Sequence, residues 1–287
     1  GGLIPGLAST TPLEPGKGWI PGTVSWGASD KAIIGNPQPG IVSTEGYEEL
    51  VECYAQGARR AREAGFDYVG YHFCHGSLPH TNLSLLSYAD RFLFIEEIIK
   101  RTQQLCGPDF PLMPRICCDE NLVGGFDIAY FVEHYATRLQ RLGVAVIDCT
   151  FGSMIRAASR RQDVTSGEFI GGGFYTPNLV NLENIQTVKR LFKERGIDTP
   201  VIGSCNLGTP EQVRAMVVEG GADFAGVSRF SLDDPEFPIK MRSGREREIR
   251  KSTRTGASLL HGNIFGKGYA GSPQNPEFGR EHEYRLV

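Results

Sequence analysis

Two histidines, His72 and His75, are the residues of this sequence whose placement best suits them to chemistry. They follow a short β-prone run at 68–71, which itself comes after Gly65, a residue suited to the left-handed end of a helix. In parallel α/β folds the carboxyl ends of the strands carry the binding and catalytic groups. We therefore expect both imidazoles at a functional sheet edge. The plainer alternative is a strand end whose polar residues meet water.

The same stretch contains the ligand types of a metal site. His72, Cys74, His75 and His80 offer imidazole and thiolate groups, which suit zinc. Against this, neighbouring loop residues seldom chelate one ion together, and Cys74 could equally be an ordinary buried residue. A metal site therefore stays open as an alternative.

Composition narrows the class of protein. A chain of 287 residues can bury a large core, as one α/β barrel or two smaller domains. The net charge of −3 and the pI near 6.1 do not indicate a basic surface that would bind nucleic acid or an acidic membrane. No apolar run reaches membrane-spanning length. Seven cysteines, an odd number, favour a reduced, cytoplasmic protein. The sequence opens with Gly1 rather than Met, so we expect it to be processed or part of a longer chain.

Three regions follow along the chain: a Gly- and Pro-rich segment at 1–42, an alternating region at 43–251 and an extension at 252–287. Strands are predicted at 68–72, 110–116, 144–149, 200–203 and 223–227. Helices are predicted at 47–64, 88–105, 128–142, 183–195, 210–219 and 236–251. The alternation indicates a parallel sheet with crossover connections. The polar, Gly-rich stretch 151–181 is long enough to be a lid or a binding loop.

Several ordered motifs carry a family resemblance. They are AGFD at 64–67 with His72-x-x-His75-Gly76, PVIGS at 200–204, GGADFAGVSRF at 220–230 and NPEFGRE at 275–281. On these motifs the chain resembles the flavin barrel of the old yellow enzyme family of NADH:flavin oxidoreductases, nearest to the branch of 2,4-dienoyl-CoA reductase and trimethylamine dehydrogenase. The resemblance implies a TIM (β/α)8-type barrel over 43–251, FMN at the carboxyl ends of its strands, NAD(P)H as a candidate electron donor and a small-molecule substrate.

The resemblance also implies roles for single residues. His72 and His75 match the pair that hydrogen-bonds the substrate's carbonyl oxygen, where two donors would stabilise the enolate oxyanion as hydride reaches the β-carbon. Arg115 matches the arginine beside the isoalloxazine, whose charge stabilises reduced flavin; an ion-paired structural arginine is the alternative. The phosphate cradle is matched at the ends of two successive strands by Gly203, Ser204, Asn206, Ser228 and Arg229.

The proton donor departs from the family pattern. Ser77 stands where the family usually has a tyrosine acid, and a serine hydroxyl is too weak an acid to take that role. Tyr71, Tyr88, Tyr175 or water could supply the proton instead.

Together, the resemblance and these residues lead us to expect an FMN-dependent oxidoreductase. It would transfer hydride between reduced flavin and an activated alkene (enone or enoyl) or, in reverse, oxidise a C–N or C–C bond.

Two further departures from the family pattern concern the iron–sulfur site and the first strands of the barrel. Hydroxyl residues stand at or near the family's iron–sulfur cysteines, so no cluster is expected; these residues are Ser252, Thr255, Ser258 and Ser272. Residues 1–4 align with the family's third strand, so the barrel is expected to be incomplete at its N-terminus, with exposed sheet edges. We hypothesise that a second chain or an N-terminal segment completes it within an oligomer. Losing these features together also fits a non-catalytic or cofactor-free partner subunit, which stays an alternative.

Overall fold

Seven strands are present in the computed structural model, which describes residues 26–27, 40–86, 91–153, 159–160, 176–252, 272 and 274–278. They are β1 (Trp26–Gly27), β2 (Gly40–Ile41), β3 (Val69–Phe73), β4 (Leu112–Asp119), β5 (Ile147–Phe151), β6 (Val201–Ser204) and β7 (Phe224–Gly226). Strands β3 to β7 form one parallel sheet in sequence order, while β1 and β2 pair with each other. Sequential parallel order is what βαβ crossovers produce.

Helices connect the strands of the five-stranded sheet, as parallel pairing requires. They are α1 (Thr44–Glu63), α2 (Leu78–Leu83), α3 (Leu93–Cys106), α4 (Ile128–Tyr130), α5 (Thr137–Arg141), α6 (Leu182–Arg195), α7 (Pro210–Val218), α8 (Arg229–Asp233) and α9 (Phe237–Arg242). A π-helical segment, Phe131–Ala136, joins α4 to α5, and a 3-10 turn, Glu246–Glu248, follows α9. Within the described ranges, no helix has the length and apolar character needed to span a bilayer.

Local signals set the two ends of α1, the helix that leads into β3. Ser43 Oγ accepts a hydrogen bond from the Gly46 N–H at 3.1 Å and so caps the first turn. Just beyond the last turn, Gly65 has φ of 87°, a left-handed conformation that a side chain would disfavour. The chain therefore turns back sharply and enters the strand that carries the histidines.

The two faces of β3 meet different surroundings because side chains alternate along a strand. Tyr71 and Phe73 are buried toward the helices: the Tyr71 hydroxyl lies 2.6 Å from Thr102 Oγ1 on α3, and its ring packs edge-on against Tyr54 of α1. His72, between them, therefore points to the opposite face, which we call the inner face. The helix layer thus fixes the direction in which His72 projects.

The structure confirms the predicted parallel sheet and its five strands, with shifts of one to three residues at their ends. The prediction of one helix over 236–251 was wrong: α9 ends at Arg242, and Gly244 follows with φ of 71°. The short helices α2 and α8 were not predicted, because each has fewer residues than a periodic pattern needs. Residues 3–4 and most of 151–181 lie outside the described residues, as do Tyr88 and Tyr175.

Candidate functional site

A tight turn at the end of β3 brings His72 and His75 together. His75 and Gly76 both have left-handed backbone angles, with φ of 61° and 82°. A histidine in this conformation is uncommon, and the reversal it produces folds the chain back on itself. The two imidazole rings lie 5.4 Å apart between centroids, and Cys74 Sγ lies 3.7 and 3.6 Å from Nδ1 and Nε2 of His72.

His75 is buried, and a neighbouring strand holds it. Its Nε2 lies 2.9 Å from Thr150 Oγ1 of β5, and Thr150 Oγ1 in turn lies 3.2 Å from Cys205 Sγ after β6. Its Nδ1 is buried and makes no hydrogen bond with any described residue. Burial lowers the pKa of His75, so the ring is neutral near pH 7 and carries one proton.

His72 and Cys74 each shift the pKa of the other. Burial works against charge on His72, but its hydrogen bond with Cys74 and the charges of Cys74 and Asp148 outweigh this and raise its pKa. For Cys74 burial favours the neutral thiol, yet its contacts with Cys117 and the two histidines bring its pKa below the ordinary value. The protonation of His72 therefore depends on the state of Cys74, and the reverse holds as well.

A row of polar side chains crosses the inner face of the sheet. Arg115 of β4 is in register with His72 on one side and with Asp148 of β5 on the other. Its Nη1 lies 2.5 Å from Asp148 Oδ2, and Ser204 Oγ donates to Asp148 Oδ1 at 3.2 Å. Burial opposes charge on Arg115, but Asp148 outweighs this and raises the pKa of the guanidinium, so it stays cationic. The ion-paired arginine foreseen as an alternative is thus present, and the pair stands beside His72.

The ends of β6 and β7 bring two predicted phosphate ligands, Asn206 and Arg229, into contact. After Ser204, Cys205 and Asn206 have φ of 93° and 55°, so the backbone turns sharply at the strand end. Asn206 Nδ2 donates to the carbonyl oxygens of Thr176 and Pro177 at 2.8 and 3.1 Å. Arg229 Nη2 donates to Asn206 Oδ1 at 3.4 Å, which places a guanidinium at this turn. Ser228 immediately precedes Arg229 and makes no side-chain cap to α8.

Gly203 has a packing role of its own. A Cβ at this position would lie 2.5 Å from Met216 Sδ and 3.0 Å from the Ala222 Cβ, closer than real Cβ contacts. The missing side chain of Gly203 therefore allows α7 to pack on β6. Any contact of Gly203 with a phosphate would involve its backbone and stays a prediction.

His80 does not belong to the cluster of possible metal ligands, contrary to the alternative raised from the sequence. Its Nδ1 accepts the Gly76 N–H at 2.7 Å, and its Nε2 lies 3.3 Å from Glu120 Oε1, with both side chains fully buried. The His80 side chain thus stabilises the turn that carries His75. The group whose ligand atoms lie within 4.8 Å of one another is His72, Cys74 and His75.

Sequence reasoning missed several residues of the site. Asp148 had a detectable signal, because a carboxylate between the apolar run 144–147 and Cys149 is costly in a buried strand unless it is paired. Thr150, Cys205 and Glu120 carried none, since a buried threonine, cysteine or glutamate at a strand end is not distinctive without its partner. Tyr71 is excluded as proton donor: its hydroxyl bonds Thr102 on the helix side, and burial raises its pKa to about 12.

Comparisons with known proteins show the family of this chain and its fold. The model of the NADH:flavin oxidoreductase / NADH oxidase family matches residues 22–248. An NADH oxidase of Thermoanaerobacter brockii is 28% identical over 266 residues, which are 87% of this chain and 38% of the relative. An NADPH dehydrogenase of Bacillus subtilis (strain 168) is 35% identical over 209 residues, 69% of this chain and 55% of the relative.

A solved 2-naphthoyl-CoA reductase in complex with 2-naphthoyl-CoA matches with a TM-score of 0.75 and 20% identity, over 90% of this chain and 38% of that one. Such a likeness shows the fold. The chain belongs to the NADH:flavin oxidoreductase / NADH oxidase family, which confirms the expected family and the TIM-barrel type of α/β fold. It spans 38% and 55% of the two curated relatives, well short of their full length.

Proposed function

We propose that this chain is the catalytic part of an FMN-dependent oxidoreductase that acts on a small substrate with a carbonyl group. Family membership supports flavin chemistry. The observation that carries the proposal is the row formed by His72, Arg115 and Asp148 on one face of the sheet. The row begins near the carboxyl end of β3, the edge at which α/β folds bind ligands, and continues inside β4 and β5.

The donor set fits FMN at two points. The backbone turn at Cys205 and Asn206 lies beside the Arg229 guanidinium, and backbone N–H groups together with a guanidinium suit a phosphate dianion. The Ser204 hydroxyl and the Asn206 amide instead donate to protein acceptors and shape the turn. Arg115 offers a cation on the inner face between that turn and the histidines. When bound there, FMN supplies the hydride chemistry of the reaction. NAD(P)H is the proposed source of reducing equivalents.

His72 and His75 bind the substrate's carbonyl oxygen in this proposal. Neutral His75 carries one proton, and Nδ1 is the nitrogen without a partner. We place the proton there, so that the Thr150 hydroxyl donates to Nε2 and Nδ1–H is left for the substrate. Two imidazole donors converging on one oxygen stabilise negative charge that develops on it, which is worth several kcal/mol in a dry site.

Ser77 does not supply the missing acid. Its side chain is fully buried, and its hydroxyl donates to the carbonyl oxygen of His72 at 3.3 Å. Reduction of an activated alkene by this chain would then take its proton from water or from another residue. The reverse direction is the second one we propose to test. Oxidation of a C–N bond needs no proton donor at the α-carbon, whereas oxidation of a C–C bond would return the α-proton to water or to the same residue.

A further segment or chain completes the barrel in this proposal. Exposed aromatic residues lie at both edges of the five-stranded sheet: Tyr68 immediately before β3, and Phe224 at the start of β7, where its register with Ile202 places it on the inner face. Their exposed fractions are 54% and 55%, high for large aromatic residues. Additional strands would cover them and close the sheet.

The proposal is tested by the visible spectrum of the purified protein, with the released chromophore identified by mass. Bound FMN, lost or weakened in Arg229→Ala, supports it. His72→Ala should then retain flavin but lower the rate of enone reduction or substrate oxidation by about 10²–10³-fold, the usual loss for an oxyanion donor. Absence of flavin after reconstitution with co-purifying chains would overturn the proposal and leave a cofactor-free partner subunit.

A further inference from the structure

We propose that His72, Cys74 and His75 form a binding site for a soft divalent cation such as Zn²⁺, and that the cation excludes the substrate's carbonyl oxygen from the same histidines. The metal site stands on the geometry of the turn. Only the competition with substrate rests on the proposed function. The site would give the protein a direct response to zinc.

The distances within the turn suit a single ion. The ligand atoms of the three residues lie within 4.8 Å of one another. Cys74 Sγ lies 3.6 and 3.7 Å from the ring nitrogens of His72. In tetrahedral zinc sites, Zn–N of ~2.0 Å and Zn–S of ~2.3 Å place neighbouring nitrogen and sulfur ligands about 3.5 Å apart. The spacing between His72 and Cys74 therefore matches that of two ligands on one ion. Because Sγ is almost equally far from both ring nitrogens, it lies over the imidazole, and a rotation of the ring about its Cβ–Cγ bond would turn one nitrogen toward the ion.

The backbone removes the usual objection to ligands so close in sequence. In an extended chain, residue i+3 projects to the face opposite to that of residues i and i+2, so His75 would point away from His72 and Cys74. The left-handed φ of 61° at His75 reverses the chain after Cys74, and Gly76 continues the reversal with φ of 82°. The hydrogen bond from the Gly76 N–H to His80 Nδ1 holds the turn in this shape.

A buried nitrogen without a partner is the second, independent observation. His75 is 4% exposed, and its Nδ1 makes no hydrogen bond with any described residue, although buried polar atoms usually have partners. Thr150 engages the other nitrogen, Nε2, which fixes the ring orientation as outer-shell partners do for metal-binding histidines. Three protein ligands leave the fourth position of a tetrahedral ion for water or a substrate atom.

Cobalt is the probe for the site, because a thiolate bound to Co²⁺ gives a charge-transfer band in the near ultraviolet. Metal-free full-length protein is titrated with Co²⁺ and then with Zn²⁺. We expect the band to appear, to saturate at one ion per chain and to disappear as zinc replaces cobalt. Cys74→Ser, a near-isosteric change at a buried position, should abolish the band and weaken zinc binding more than about tenfold, since even outer-shell losses cost that much.

The exposed cysteine of α1 provides the matched control. Cys53→Ser removes a thiol far from the turn and should leave the cobalt spectrum unchanged. A wild-type spectrum without the thiolate band, or a band lost in Cys53→Ser and kept in Cys74→Ser, would overturn the metal site. Circular dichroism of each variant shows whether it is folded.

Inhibition by zinc tests separately whether the bound cation excludes the substrate's carbonyl oxygen from the histidines. In flavin-loaded protein with measurable turnover, zinc should raise the apparent KM for the carbonyl substrate and leave kcat unchanged. If zinc binds but inhibition is not competitive, exclusion of substrate is wrong while the metal site stands. If flavin never binds, the proposed function fails, whereas the cobalt titration still decides whether the site exists.

Discussion

His75 on the turn after β3 and Thr150 on β5, 75 positions apart in the chain, are joined by a 2.9 Å hydrogen bond between Nε2 and Oγ1. Both residues are buried. Strand β4 lies between β3 and β5, so the bond spans the width of one intervening strand at the carboxyl edge of the sheet. Thr150 thereby orients the imidazole that we propose to face the substrate.

Replacing Thr150 with Val should therefore damage both stability and function. The change keeps the shape but leaves Nε2 of a buried imidazole without a partner, which costs ~1–3 kcal/mol in the free energy of unfolding. Because the ring loses its orientation, we also expect a lower kcat/KM. Urea unfolding and steady-state kinetics measure the two effects. Thr150→Ser keeps the hydroxyl and should restore most of both; if Ser and Val behave alike, the hydrogen bond is not what positions His75.

His80 is predicted to stabilise the same turn. In His80→Leu the Gly76 N–H loses its acceptor and the Glu120 carboxyl loses its contact in a fully buried place, which should destabilise the fold by ~2–5 kcal/mol. His80→Asn offers an amide oxygen near the position of Nδ1 and should recover part of the loss. The comparison is made by urea unfolding. Equal stability of the Leu and Asn variants would show that the bond to Gly76 contributes nothing.

Gly203→Ala tests whether glycine is needed there for packing. The new Cβ would approach Met216 Sδ and Cγ to 2.5 and 2.8 Å, so we expect ~1–3 kcal/mol of destabilisation from overpacking. Met216→Ala alone leaves a cavity and should also destabilise. The double variant should be more stable than the sum of the single losses implies, which a double-mutant cycle measures. Strict additivity would mean that the two residues do not clash.

Asp234 makes the free energy of unfolding depend on pH in the acid range. Burial alone would raise its pKa, but Lys240 Nζ at 2.8 Å and the backbone N–H groups of Arg250 and Glu236 outweigh burial and lower it. A carboxyl whose folded pKa lies below the unfolded value of ~3.9 stabilises the fold above that pH, and the contribution is lost as pH falls through the lowered pKa.

The prediction is that acid unfolding of the wild type includes this loss and that Asp234→Asn shows a smaller fall in stability below about pH 4. The variant should also be less stable near neutral pH, because the buried Lys240 then loses its 2.8 Å partner and keeps the longer, 3.8 Å contact with the exposed Glu236 carboxylate. Thermal unfolding across a pH series measures both effects. Parallel curves for wild type and variant below pH ~4 would contradict the assignment.

The sequence by itself determined the order of elements, the parallel sheet and the place of His72 and His75 at a strand end. Each of these follows from local periods of two or 3.6 residues and from turn residues such as Gly65, which act within a few positions. The family motifs are equally local, and the family match over residues 22–248 agrees with them.

Only the tertiary structure decided which groups meet across the sheet. The pairing of Arg115 with Asp148 and the bond from His75 to Thr150 depend on strand register. Register is set by packing of the whole sheet against its helices, and a shift of one residue would turn each side chain to the other face. The left-handed φ of His75 likewise arises from contacts that hold the turn from outside. No periodic pattern in the chain records those contacts, so the sequence could raise the cluster of His72, Cys74 and His75 only as an open alternative. The fold decided that their ligand atoms lie within 4.8 Å of one another.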